Sequence, residues 1–189
     1  MYRIIAGKWK AKKIAAPKNF DVRPTTDFAK EALFSILEHR FDLESVAVLD
    51  LFAGIGSISL EFASRYCPDV TSVEMNPKHC AFINSTAGDL DMAIQMNIQR
   101  GDVFEWLKKN RGRKQYDIVF ADPPFDLDAK KYQELIALIL NNSYVKENGL
   151  LVVEHQTKNA PDDSRLSETR KYGNVSFSLF KAEETAAED

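Results

Sequence analysis

The sequence predicts an α/β fold: a doubly wound, mostly parallel seven-stranded sheet with helices on both faces, preceded by an N-terminal β-hairpin. Three observations lead there. From residue 46 onward, short apolar runs alternate with stretches of helical periodicity. The runs are rich in Val, Ile and Leu, as strands buried on both faces should be. A succession of βα units needs crossover connections, which make the strands parallel and put helices on both faces. The 189 residues suit one domain, with a core large enough to need no covalent staple.

The elements follow in order. Arg3-Ile4-Ile5, Ala6-Gly7-Lys8 and a run through Ile14-Ala15-Ala16 read as a hairpin closed by Pro17. Residues 25–40 read as a helix. Thr25, Thr26 and Asp27 supply capping groups, and Phe28, Ala29, Ala32, Leu33, Ile36 and Leu37 recur at helical spacing. Arg23-Pro24 sets the extended entry to it. Strands are expected at 46–51, 70–75, 96–101, 116–121 and 150–154, with helices at 57–66, 77–87, 103–110 and 128–141. Asn76-Pro77 caps the second of these helices, with Pro at its first position. Gly149 is expected to end the loop that follows 128–141. Leu166–Tyr172 and Val175–Phe180 flank Gly173-Asn174 as two closing strands joined by a turn. The chain thus divides into a hairpin extension at 1–20, a catalytic core at 21–182 and a disordered acidic tail at 183–189.

Composition narrows the function classes. Hydrophobic residues at 44% and charged residues at 28% are ordinary globular usage, which excludes collagenous, disordered and disulfide-scaffold chains. No apolar run is long enough for a membrane helix, and the N-terminal apolar stretch is too short for a signal peptide. Cys67 and Cys80 make no disulfide framework. A cytoplasmic protein without a membrane partner is expected, working as a monomer. His39, His79 and His155 lack metal-ligand spacing, so no metal site is expected.

The net charge of −3 and pI of about 5.7 argue against a nucleic-acid partner only as an average. Residues 1–40 sum to +5 and the rest of the chain to −8. The first 20 residues hold six bases and no acid, the footprint of a phosphate-binding surface. Arg3, Lys8, Lys10, Lys12 and Lys13 are candidate RNA contacts, and Trp9 among them offers a stacking face. The competing reading is a solvated edge strand protected by lysines.

Asp50-Leu51-Phe52-Ala53-Gly54-Ile55-Gly56-Ser57 joins the first core strand to a helix. Gly54 and Gly56 let the backbone approach a ligand closely. Glu74 ends the next strand, where an acid can accept both ribose hydroxyls of a nucleoside, with Met75 beside it. NAD and S-adenosylmethionine (SAM) sites share these features. A dinucleotide fingerprint wants a third glycine, but position 59 is Ser. Asp50 would repel a pyrophosphate and suits the ammonium at the methionine end of SAM, so the spacing favours SAM over NAD. A tight turn without a ligand is the plain alternative. Asp102 could accept an adenine amino group with Val103 against the ring, or could simply cap the following helix.

The fourth core strand ends in Asp122-Pro123-Pro124-Phe125. Two prolines give a rigid extended backbone without N–H donors. The Asp122 carboxylate and the Pro123 carbonyl can accept the two hydrogens of an exocyclic amine, while its planar group stacks on Phe125. Two acceptors favour a pyramidal nitrogen and aim its lone pair at a methyl donor. Asp122 would also stabilise the positive charge that develops on nitrogen. Asp122, Pro123 and Phe125 are therefore the candidate catalytic residues.

Together these residues resemble class I SAM-dependent methyltransferases, which are Rossmann-like. More closely, the chain resembles the bacterial RsmD family of 16S rRNA (guanine-N2)-methyltransferases. The matching segments are Arg3–Lys8, Arg23-Pro24-Thr25-Thr26-Asp27 with Lys30-Glu31-Ala32-Leu33-Phe34, Val48–Gly54 and Asp122-Pro123-Pro124-Phe125. The resemblance implies methylation of guanine 966 in 16S rRNA, in the small subunit or its assembly intermediate. It also implies that Arg23, Thr25 and Thr26 lie near the methionine end of SAM, joining Asp50, Phe52, Gly54, Gly56, Glu74, Met75, Asp102, Val103 and Asp122. Ile55 and Phe125 depart from the family pattern of a small residue and Tyr. Other readings stay open: a DNA adenine-N6 or protein glutamine-N5 methyltransferase, a non-catalytic RNA-binding assembly factor, and an NAD oxidoreductase.

Overall fold

Nine strands and five α-helices alternate along the computed structural model, which describes residues 1–17, 20, 25–158, 161 and 163–182. The expectations for Arg23 and for the tail at 183–189 fall outside the described residues. The chain opens with β1 (Tyr2–Arg3) and β2 (Lys13–Ile14), then α1 (Asp27–Arg40) and β3 (Ala47–Leu51). Next come α2 (Ser57–Ser64), β4 (Asp69–Glu74), α3 (Pro77–Asp89), β5 (Met96–Arg100), α4 (Val103–Asn110), β6 (Tyr116–Ala121) and α5 (Ala129–Leu140). The antiparallel end of the sheet is β7 (Val145–Gln156), β8 (Leu166–Tyr172) and β9 (Val175–Lys181).

Seven strands form one sheet in the order β5-β4-β3-β6-β7-β9-β8. The first five run parallel, while β9 pairs antiparallel with both β7 and β8. The chain leaves β3 in one direction and returns to its other side at β6. This reversal is the topological switch point at which doubly wound sheets open a ligand crevice. Leu51 lies opposite Ala121, and Ala121 opposite Val153. The ends of β3 and β6 and the C-terminal part of β7 therefore meet at one place.

Alternation within the strands builds two cores. Val48, Ile118, Phe120 and Val152 face α1, α2 and α3; Leu49, Val119, Ala121 and Val153 face α4 and α5. Each fully buried aliphatic contributes roughly 1.5–3 kcal/mol. Helix starts carry the expected caps: Thr26 Oγ1 accepts from Ala29 N–H, and Asn76 Oδ1 accepts from Lys78 N–H ahead of Pro77. One expectation fails. Gly149 lies inside β7, where the β6–β7 register shifts between Tyr116↔Val145 and Ile118↔Leu150. A bulge absorbs the extra residues, so β7 begins five residues earlier than its apolar run.

The hairpin is fastened to the core rather than standing off it. Tyr2, Ile4 and Ile14 join the first core. Glu61, fully buried in α2, accepts the backbone N–H groups of Ile5 (2.7 Å) and Ala6 (3.0 Å). It also lies 3.4 Å from the equally buried ammonium of Lys30, which donates to the Arg3 carbonyl at 2.6 Å. Gly7 takes φ +80°, and a Cβ there would drive into the Ser64 carbonyl. Lys8 N–H donates to that same carbonyl, and Trp9 Nε1–H donates to Leu90 O, both at 2.7 Å. Ser64 ends α2, and Leu90 follows the end of α3. The tip of the hairpin therefore sits at the edge of the sheet opposite the strand C-termini.

Candidate active site

The loop between β3 and α2 relies on left-handed backbone. Phe52, Gly54 and Gly56 have φ of +62°, +56° and +77°. Gly56 is the N-cap of α2 and packs so closely on α3 that a Cβ would lie 2.9 Å from Ile83 Cγ1, which excludes any larger residue. Glu74 holds the loop in place. Its two oxygens accept from Gly54 N–H and Asn76 N–H, each at 2.8 Å. Each oxygen keeps a further lone pair for a ligand. Met75, beside it, is 66% exposed and stands at the rim.

Asp50 is almost fully buried and accepts a short hydrogen bond from the Ser59 hydroxyl, which also meets Ser72 Oγ at 2.7 Å. Burial pushes the Asp50 carboxyl up to about 7, against the opposing Ser59 hydrogen bonds. So Ser59, at the position of the absent third glycine, holds the carboxylate that faces the crevice. The sequence marked position 59 only as a missing glycine.

Asp50, Phe52, Gly54 and Asp122 line one cavity together with Thr25 and Phe120. Asp122 follows β6 directly, anchored by its N–H to Leu51 O at 3.3 Å. Burial pushes its carboxyl well above the usual range, and the negative charges of Glu154 and Asp50 push it further. Glu154, in β7, was not singled out from the sequence. It is only 3% exposed and accepts from Thr25 Oγ1 at 3.2 Å. Burial raises it to about 7, with the Thr25 bond opposing. The Tyr132 hydroxyl of α5 is buried without a hydrogen-bond partner among the described residues. Burial, then the charges of Asp122 and Glu154, push that phenol up to about 12. The arrangement is a buried carboxylate cluster at the C-terminal ends of three adjacent parallel strands, suited to hydrogen-bond donors and developing positive charge.

Pro123 is buried, and Phe125 stands half-buried beyond it. Phe52 meets Phe104 edge-on, with ring centroids 6.3 Å apart.

Other expected site residues lie elsewhere or are already engaged. The Val103 side chain is buried in the core beneath α4, so it offers a planar ring only its backbone. Asp102 caps α4 with its side chain, Oδ1 accepting from Glu105 N–H at 3.0 Å, and keeps its other oxygen exposed. Thr26 spends its hydroxyl on the α1 cap. Arg3 pairs with Asp27 at 3.0 Å. Trp9 is half-buried with its indole N–H engaged, which removes part of the expected stacking face. Lys10, Lys12 and Lys13 are exposed on the hairpin.

A family model described as "Conserved hypothetical protein 95" matches residues 2–181. The chain is 30% identical over 183 residues to the ribosomal RNA small subunit methyltransferase D of Buchnera aphidicola, covering 94% of this chain and 90% of that protein. Among solved structures, a hypothetical protein of Thermus thermophilus is similar with a TM-score of 0.81 and 25% identity, over 96% of this chain and 99% of that one. An RNA methyltransferase from Salinibacter ruber, solved with S-adenosyl-L-homocysteine, shares the fold with a TM-score of 0.68 and 15% identity, over 88% and 98%.

Proposed function

Because this chain belongs to the RsmD family, which the Conserved hypothetical protein 95 model describes, we propose that it is a SAM-dependent methyltransferase of small-subunit rRNA. The target is the exocyclic N2 amine of a guanine, guanine 966 of 16S rRNA by family resemblance, in the small subunit or an assembly intermediate. It works in the cytoplasm as a monomer. The observation that carries this reading is the Asp122 carboxylate beside Glu154, opening on the cavity that Asp50 and the cofactor loop also line.

The residues present fit SAM. Asp50 is a buried carboxylate whose ionised form is costly without a cation beside it, and an ammonium supplies one. Glu74 has acceptor capacity left for ribose hydroxyls. When bound, SAM supplies a methyl group on a sulfonium whose thioether leaves with the C–S electron pair. The protein's task is to present the amine. Asp122 and the Pro123 carbonyl accept its two hydrogens, and Phe125 holds the ring. As the nitrogen gains a bond to carbon, Asp122 balances its growing positive charge and then receives the proton it releases. Glu154 lends the pair more negative charge, and Thr25 fixes Glu154. Positioning and electrostatics do the rest.

Labelled-methyl transfer from SAM to 30S particles, naked rRNA, DNA and protein, run in parallel, tests the reading. Label in rRNA, recovered as N2-methylguanosine, is the expected result. Label in adenine of DNA or in glutamine overturns it.

A further inference from the structure

A second cavity lies beside Phe125, between the end of β7 and the β8–β9 turn. We propose that this cavity, walled by Phe125, Gln156, Thr157, Lys158, Lys171 and Asn174, holds the sugar–phosphate backbone of the single-stranded RNA flanking the target nucleotide. The proposal rests on the RNA-methyltransferase reading and adds where the strand enters.

Phe125 is a wall of this cavity and also ends the tetrapeptide that presents the amine, so the two places are contiguous. Gln156 ends β7 three residues beyond Val153, the partner of Ala121. The cavity thus shares the sheet edge on which the carboxylates meet. Lys158 follows β7 and Lys171 lies on β8, both exposed and neither ion-paired with another described residue. The walls are tied together by Thr157 N–H to Asn174 O at 3.3 Å and by Ser176 Oγ to Thr157 Oγ1 at 3.1 Å. No acid among the described residues lines the cavity.

Two ammonium groups, an amide from each wall and no described carboxylate suit a phosphodiester, and phosphate contacts are what fix the register of a nucleic-acid strand. The basic hairpin is less well placed for this. Its tip is bonded to Ser64 and Leu90, at the far edge of the sheet, and Arg3 and Lys8 each lie near an acid. Lysine on the edge strand β8 could serve only to block strand pairing, but Lys158 is not on that strand and converges on the same cavity.

The test measures methyl transfer to RNA with Lys158→Gln/Lys171→Gln across a salt series, beside wild type and Lys109→Gln on the exposed face of α4. We expect KM for RNA to rise about tenfold near 0.1 M salt in the double variant. The slope of log KM on log salt should fall by roughly 1.4, at ~0.7 for each phosphate contact with a single strand. The loss should fall on KM rather than kcat, and SAM affinity reports that the fold is intact. Lys109→Gln should match wild type. An unchanged KM and slope in the double variant, or a loss confined to kcat, overturns the subsite. If wild type transfers no methyl to any RNA, the functional reading fails instead; the salt slope of RNA retention on filters then still decides the subsite.

Discussion

Asp122, just past β6, and Glu154, near the end of β7, are two buried carboxylates with no described cation between them, and the Glu154 charge raises the cost of ionising Asp122. In the proposed mechanism, transfer needs ionised Asp122, because only the carboxylate can accept the amine's hydrogen bond and then the proton that the amine releases. The rate should therefore rise with pH through the Asp122 titration. Glu154→Gln removes the like charge, so Asp122 ionises at lower pH and the acid limb of kcat/KM moves down. An acid limb that stays in place contradicts the coupling. Asp50 has a different role in the proposed function, where it faces the ammonium of SAM. Asp50→Asn, isosteric and still able to bond Ser59, should weaken SAM binding about tenfold or more through loss of the ammonium partner. Calorimetric titration with SAM checks this, and an unchanged Kd removes Asp50 from that role.

The hairpin and α2 behave as one unit. All eight residues of α2 are buried, and among them Glu61 is the one acid. Its carboxylate is not left unpartnered there, because Ile5 and Ala6 N–H, Lys30 and Arg65 all point at it. Gly7→Ala would force its Cβ into the Ser64 carbonyl at a left-handed φ, lifting the strand off that clamp. A destabilisation of roughly 2–4 kcal/mol is expected, read as a Tm lower by about 5–10 °C; an unchanged Tm contradicts the docking. This contact was hidden in the sequence. Arg3–Lys8 reads as a hairpin because β patterning is local, but its seat on α2 depends on contacts 55 or so residues away. A lone Glu in an otherwise apolar and small helix was the available signal. Element order was legible throughout, because short Val-, Ile- and Leu-rich runs alternate with stretches of 3.6-residue periodicity. The bulge at Gly149 was not, since it depends on register with β6.

At the scale of the described fold, three buried carboxyls gather near the C-terminal ends of adjacent parallel strands. Asp50 and Glu154 are raised to about 7 and Asp122 well above the usual range. Raised carboxyls bind more protons folded than unfolded, so their contribution to stability falls as pH rises from about 4 to 7. His155, kept neutral by burial, works the opposite way as pH falls below its ordinary value. The difference between wild type and Asp50→Asn isolates the acid term: the variant should lose less stability between pH 5 and 7, and parallel curves contradict this. The same concentration explains what the sequence concealed. Asp50, Glu74 and Asp122 were legible because each opens a loop motif or ends a predicted strand. Glu154 looked like the end of one more apolar run, and only the β6–β7 pairing brings it beside Asp122. The acidic average likewise hid a basic hairpin whose tip proves to lie on the edge opposite the crevice. One comparison bears on all of this: methyl transfer from SAM to unmethylated 30S particles by wild type and by Asp122→Ala, with the RNA digested to nucleosides. N2-methylguanosine from wild type, none from the variant, and SAM affinity within a few-fold in both is the expected result. Equal turnover by the variant, or a methyl group on any other atom, contradicts the mechanism.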